Sequence, residues 1–177
     1  TKGVPTLTWD ASPTLFVGDT TKAQTATSTA TSALGGGAIT YASTSTSICT
    51  INASTGVINA IAAGNCVLTA SQAGNTKYNA ASLTGANSKT IPINRQDATL
   101  TWNASPTLTV GDTAKSQTAS STATQGGGAI TYSSTTLSVC TINSTSGVIN
   151  ALAVGDCIVT ASQAASTKYN AASLTGA

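Results

Sequence analysis

The chain has 177 residues, enough for one or two domains, and only 7% of them are charged. Five scattered Asp, no Glu and no His leave no Ser-His-Asp, Cys-His or paired-carboxylate arrangement, so the reading is of a protein that is not an enzyme. A net charge of +2 spread over seven Lys and Arg excludes the clustered basic face that nucleic acid requires. Disorder is excluded as well, because 40% of residues are hydrophobic and they alternate with polar ones. No apolar run approaches the ~18 residues of a bilayer span, so no membrane insertion is expected. No signal peptide opens the sequence, which reads as a mature product or part of something longer.

Taken in chain order, the first element is "TLTW", which places Leu7 and Trp9 on one face of a strand. Gly18-Asp19 follows as a turn, with Lys22 three residues beyond the acid as a surface partner. The Thr-rich stretches "TATSTATS" (25–32) and "STSTS" (43–47) suit the solvent faces of strands and loops better than a flat ice-binding ladder. Gly35-Gly36-Gly37 reads as a flexible loop; a phosphate loop would need a following Lys-Ser/Thr and the start of a helix. "AITYAS" puts Ile39 and Tyr41 on one face, and "SICTIN" pairs Cys49 with Ile51. Turn signals at Ser54-Thr55-Gly56 and Gly64-Asn65 precede "NCVLTA", which aligns Cys66, Leu68 and Ala70. "SKTIPIN" (Ser88 to Asn94) is the expected last strand.

The same series then recurs. Thr6 to Thr31 matches Thr99 to Thr124 at 21 of 26 positions, and Gly35 to Ala86 matches Gly126 to Ala177 at 38 of 52. The register changes where Ser32 to Leu34 is replaced by Gln125, an indel that marks a surface loop. A period near 92 residues is too long for a solenoid repeat and equals one small sandwich domain. The expected architecture is all-β: two tandem immunoglobulin-like β-sandwich domains, 1–94 and 95–177, the second without a counterpart of "SKTIPIN". That absence leaves three outcomes: a continuation not seen here, an open groove, or a strand donated by another molecule. Only Arg95, Gln96 and Asp97 separate the last strand of one unit from the next, too few for a flexible linker, so the modules are expected end to end as a semi-rigid rod.

Each unit holds two cysteines with the same spacing, Cys49 and Cys66, then Cys140 and Cys157. A module that recurs as a unit carries its own bond, and the alternation turns both partners inward. The pairs Cys49–Cys66 and Cys140–Cys157 are therefore expected as disulfides, with free thiols and metal as the rival readings. Structural zinc prefers closer pairs and His, and this chain has no His. No metal and no cofactor are expected. Asp19 and Asp112, the only acids kept in both units, read as Gly-Asp turns rather than calcium ligands. Trp9 and Trp102 read as core or junction residues, with sugar stacking as the alternative. Lys77-Tyr78-Asn79 and its copy Lys168-Tyr169-Asn170 are too close in sequence for a cross-strand isopeptide bond.

"ITYASTSTSICTINASTGVINAIAAGNCVLTASQAG" resembles the second half of a bacterial immunoglobulin-like repeat of the kind found in invasin- and intimin-type proteins and giant adhesins. Gly56, Val57, Ala60, Gly64 and Thr69 fall on that pattern, and the resemblance extends to both units. It implies a structural or adhesive segment of a long secreted or cell-surface bacterial protein: a stalk, filament or adhesin spacer. A self-assembling filament or sheath subunit completed by strand donation is a second reading, and a carbohydrate- or receptor-binding module a third. The implied partners are neighbouring modules of the same or an identical chain, with host or surface glycans under the third reading.

Overall fold

The computed structural model describes residues 1–176, and the chain divides into two compact units, Thr1–Arg95 and Gln96–Ala177. In both, the regular structure is nearly all short strands joined by turns and loops. Thr, Val and Ile favour the pleated backbone, and turns containing Gly and Ser cut it every few residues.

In the first unit the strands are β1 (Leu7–Trp9), β2 (Leu15–Phe16), β3 (Ala26–Ser28), β4 (Ile39–Ser43), β5 (Cys49–Ile51), β6 (Ile58–Ala60), β7 (Gly64–Gln72), β8 (Ala81–Leu83) and β9 (Lys89–Asn94). One layer has the order β2-β9-β7-β4, with β8 beside the far end of β7. β9 runs antiparallel to β7, with Gly64 opposite Ile93 and Leu68 opposite Lys89, and parallel to β2. In the other layer β1 pairs β3 and β5 pairs β6, and a bridge from Ala23 to Val57 joins the two pairs. This is an immunoglobulin-type β-sandwich.

The alternation read from the sequence sets the core. Leu7, Tyr41, Cys49, Cys66, Leu68 and Ala70 are all buried, whereas Thr27 and Thr29 of the Thr-rich stretch face solvent. The core has two parts. The disulfide side gathers Leu15, Val17, Cys49, Ile58, Ala60, Cys66, Leu68, Ile91 and Ile93. The tyrosine side gathers Ala26, Tyr41 and Ala70, with Trp9 and Ile51 packed against both parts.

The Gly triplet is not a loose loop. A Cβ on Gly36 would stand 1.8 Å from the carbonyl oxygen of Ala30, and Gly36 N–H donates to the Thr31 carbonyl at 2.8 Å. Only a residue without a side chain permits that approach. Gly56 is needed for a second reason: its φ is +72°, and its carbonyl accepts the Gln24 N–H that joins the halves of the β1-β3-β6-β5 layer.

The second unit repeats this plan with β10 (Leu100–Trp102), β11 (Ala119–Ser121), β12 (Ile130–Ser134), β13 (Cys140–Ile142), β14 (Ile149–Ala151), β15 (Val159–Gln163) and β16 (Ala172–Gly176). Its larger sheet is β12-β15-β16. Among the described residues there is no counterpart of β9, and the residues matching β2 and the first half of β7 are not in strands.

Candidate functional site

Each unit carries one disulfide, Cys49–Cys66 and Cys140–Cys157, at Cα separations of 5.6 and 5.5 Å. Cys49 lies on β5 and Cys66 on β7, so the bond joins the two layers of the sandwich. In the first unit both cysteines are fully buried. Ser43 Oγ approaches the Cys49 sulfur at 3.2 Å, and Ser134 Oγ approaches that of Cys140 at 3.4 Å. Cys157 departs from the inward, buried position expected of it. It is only half-buried and precedes the strand rather than lying on it; among the described residues none pairs alongside it as Ile91 does with Cys66.

A second set of cross-layer ties was not visible in the sequence. The Tyr41 hydroxyl oxygen accepts the Ala26 N–H at 3.1 Å, and Tyr132 does the same for Ala119. Gln72 is buried; it accepts from Ser28 Oγ at 2.6 Å and donates to the carbonyls of Ala30 and Gly37. Gln163 repeats the contacts to Ser121 and Gly128. These side chains satisfy backbone groups that would otherwise be buried unpaired. The only signal for them is their retention in both copies, because Gln has no hydrophobic periodicity to betray it.

The two retained acids close turns. Asp19 accepts the Phe16 N–H at 2.9 Å and pairs with Lys22 at 2.9 Å, while Lys22 Nζ also donates to the Thr14 carbonyl. Asp112 accepts the Thr109 N–H and pairs with Lys115, whose Nζ donates to the Thr107 carbonyl. The backbone hydrogen bond from Phe16 holds the Asp19 carboxyl below its ordinary range, helped by Lys22 and opposed by slight burial. Asp112 is lowered in the same way by Thr109 and then Lys115. Among the described residues no group of three or more His, Cys, Asp or Glu stands together as a metal site.

The tryptophans pack rather than project. Trp9 lies 6.3 Å from Tyr41 between ring centroids, and its Nε1 donates to the Asn87 carbonyl at 3.0 Å. Trp102 Nε1 is buried and has no partner among the described residues. The Lys-Tyr-Asn segments each secure the start of a unit: Gly3 N–H donates to the Lys77 carbonyl and Gln96 N–H to that of Lys168, both at 2.8 Å.

No protein-family model matches the chain, and no curated protein sequence matches it. Solved structures with a similar course of chain are extracellular repeats of cadherins. Human protocadherin-24 EC1-2 has a TM-score of 0.37 and 12% identity over 92% of this chain and 86% of its own. Mouse cadherin-23 EC22-24 has a TM-score of 0.36 and 17% identity over 97% of this chain and 65% of its own. Its human counterpart EC21-23 has a TM-score of 0.36 and 18% identity over 97% and 63%.

Proposed function

We propose that the chain is a pair of non-catalytic structural modules from a long secreted or surface-anchored bacterial protein of the invasin, intimin and giant-adhesin kind, serving as a stalk or spacer. The observation that carries this reading is the disulfide between the layers of the sandwich, repeated at the same place in both units. Disulfides of this kind persist outside the reducing cytosol, which supports an extracellular setting. In a sandwich with few aromatics the bond stabilises by on the order of 3 kcal/mol in the chain-entropy model. It also has a mechanical consequence. The 17-residue separation from Cys49 to Cys66 cannot extend when a module is pulled, so about 60 Å of chain per unit stays locked. The partners under this reading are neighbouring modules of the same or an identical chain.

Single-molecule pulling on the 177-residue chain tests this. Each unfolding step should lengthen by about 60 Å after reduction, at ~3.5 Å per residue over the locked segment. Steps of equal length with and without reductant would count against a load-limiting role for the bonds.

A further inference from the structure

The turn between β5 and β6 carries one short motif that recurs in the second unit in different residues. Asn52-Ala53-Ser54 stands in the first unit and Asn143-Ser144-Thr145 in the second. The middle residue changes and Ser becomes Thr, yet each copy keeps an Asn with a hydroxyl residue two positions on. That is the acceptor pattern of asparagine-linked glycosylation, Asn-x-Ser/Thr with x not Pro. In a chain rich in Asn, Ser and Thr the pattern alone carries little, and its surroundings decide whether it has a use.

The turn itself accounts for only part of the motif. Asn52 Oδ1 accepts the N–H groups of Ser54 and Thr55 at 3.0 and 2.9 Å, and Asn143 Oδ1 accepts those of Thr145 and Ser146 at 3.0 and 2.9 Å. The carbonyl end of each Asn is thereby fixed on the turn, and its amide nitrogen Nδ2 has no hydrogen-bond partner among the described residues. The next hydroxyl along, on Thr55 or Ser146, accepts the N–H of Val57 or Val148. The hydroxyls of Ser54 and Thr145 have no partner among the described residues, so the turn uses the Asn and leaves the group two positions on idle. Residues 52–55 and 143–146 are exposed throughout. Each hairpin tip therefore presents a free amide nitrogen and a free hydroxyl to solvent.

A third copy of the pattern supplies the contrast. Asn103-Ala104-Ser105 is followed by Pro106, and its Nδ2 donates to Thr118 Oγ1 at 2.8 Å. The first unit has Asp10 at this position, whose carboxylate accepts from Thr25 Oγ1 at 2.6 Å. In either form this side chain ties the end of one strand to the start of its partner, β1 to β3 or β10 to β11. Asn103 is thus a structural group with its amide nitrogen engaged.

We propose that Asn52 and Asn143 are glycosylation sites and that Asn103 is not. The substrate class is a sugar activated at its anomeric carbon as a diphosphate ester and delivered by a glycosyltransferase. Nδ2 forms a bond to the anomeric carbon, and the bond from that carbon to the diphosphate oxygen breaks. The diphosphate leaves with the electron pair, and Nδ2 gives up one proton to the transferase. The product carries one glycan at the same hairpin tip of each unit, with both hydrogen bonds to Oδ1 retained. The inference goes beyond the module reading and rests on different residues.

The test uses the folded, disulfide-intact chain as acceptor. One arm supplies a soluble asparagine glycosyltransferase with a nucleoside diphosphate sugar. The other supplies a membrane oligosaccharyltransferase with a polyprenyl diphosphate sugar. Intact mass and glycopeptide mapping should show two glycans per chain, on Asn52 and Asn143, and the arm that transfers assigns the donor. The variant carrying Ser54→Ala and Thr145→Ala should lose transfer at both sites with its melting temperature unchanged, because neither hydroxyl holds the turn. No transfer in either arm would overturn the proposal. So would modification of Asn103 to the same extent, or transfer that persists without the two hydroxyls.

Discussion

The disulfide side of the first unit and that of the second are built from nearly the same residues, and they differ in that β9 covers the first, whereas the positions matching β9 lie outside the described residues of the second. Leu15, Cys49, Ile58, Ala60 and Cys66 recur as Leu108, Cys140, Ile149, Ala151 and Cys157. In the first unit they form one buried cluster with Ile91 and Ile93. In the second, Cys140, Ile149 and Ala151 remain buried, while Leu108 and Cys157 are half-buried, and a separate buried cluster gathers Leu100, Tyr132 and Ala161. Burial of Cys140, Ile149 and Ala151 is thus set by the alternation that the two units share, and among these residues only the Leu108 and Cys157 positions differ in cover. In the first unit β9 also pairs with β2 and with the first half of β7, whereas in the second the matching described residues are not in strands and β15 begins at Val159, where it pairs with β16.

The largest effect should come from breaking the closed side. Ile91→Asp would bury a carboxylate among apolar side chains without a partner, at a cost of about 4 kcal/mol or more. Calorimetry should show the melting of the first unit collapse toward that of the second, with the second unit unmoved.

The two disulfides sharpen the comparison next. Both cysteines of the first bond are sealed under β9, while Cys157 is half-exposed. Under limited reductant with trapping by iodoacetamide, Cys140 and Cys157 should be labelled before Cys49 and Cys66. Full reduction should lower stability by on the order of 3 kcal/mol in the first unit.

The tyrosine side is the control, because it is alike in both units. Tyr41→Phe and Tyr132→Phe each remove the acceptor of a strand N–H, and each should cost about 1–2 kcal/mol by denaturant titration. A large difference between the two would mean that the tyrosine ties are not equivalent in the two units.

How much of this was legible in the sequence follows the same division. The periodicity of "TLTW", "AITYAS" and "NCVLTA" was enough to place Leu7, Tyr41, Cys66 and Leu68 inside, because a period of two has only two faces to choose from. Equal cysteine spacing pointed to the pairs that the structure joins. The two-residue β2 and the strand β3, Ala-Thr-Ser, were not legible, since the first is too short for a period and the second has no large apolar residue to mark its inner face. The buried Gln72 and Gln163 and the Tyr hydroxyl ties were missed because their partners are backbone groups distant in the chain. The Gly triplet was read as flexible because its contact with Ala30 is tertiary. The exposed flank of Cys157 was hidden by its identical spacing to Cys140.

The smallest effect concerns the Gly-Asp turns. The carboxyls of Asp19 and Asp112 are held below their ordinary range by backbone N–H groups and the neighbouring lysines. A carboxyl lowered in the folded state contributes stability above its unfolded-state value, and the contribution is lost as pH falls through the folded-state value. The melting temperature should therefore decline slightly on acidification below the ordinary carboxylate range. The variant carrying Asp19→Asn and Asp112→Asn should flatten that decline, with only a small change at neutral pH because both turns lie at the surface.

The most direct test of the contrast between the two units is hydrogen exchange on the unmodified chain, comparing residues 64–68 with 155–159. Amides of Gly64, Cys66 and Leu68 are paired with β9 and should exchange slowly, near the global unfolding rate of the first unit. Amides of Gly155 and Cys157 should exchange orders of magnitude faster, with protection beginning only at Val159. Equal protection of the two segments in a monomeric chain would contradict the account.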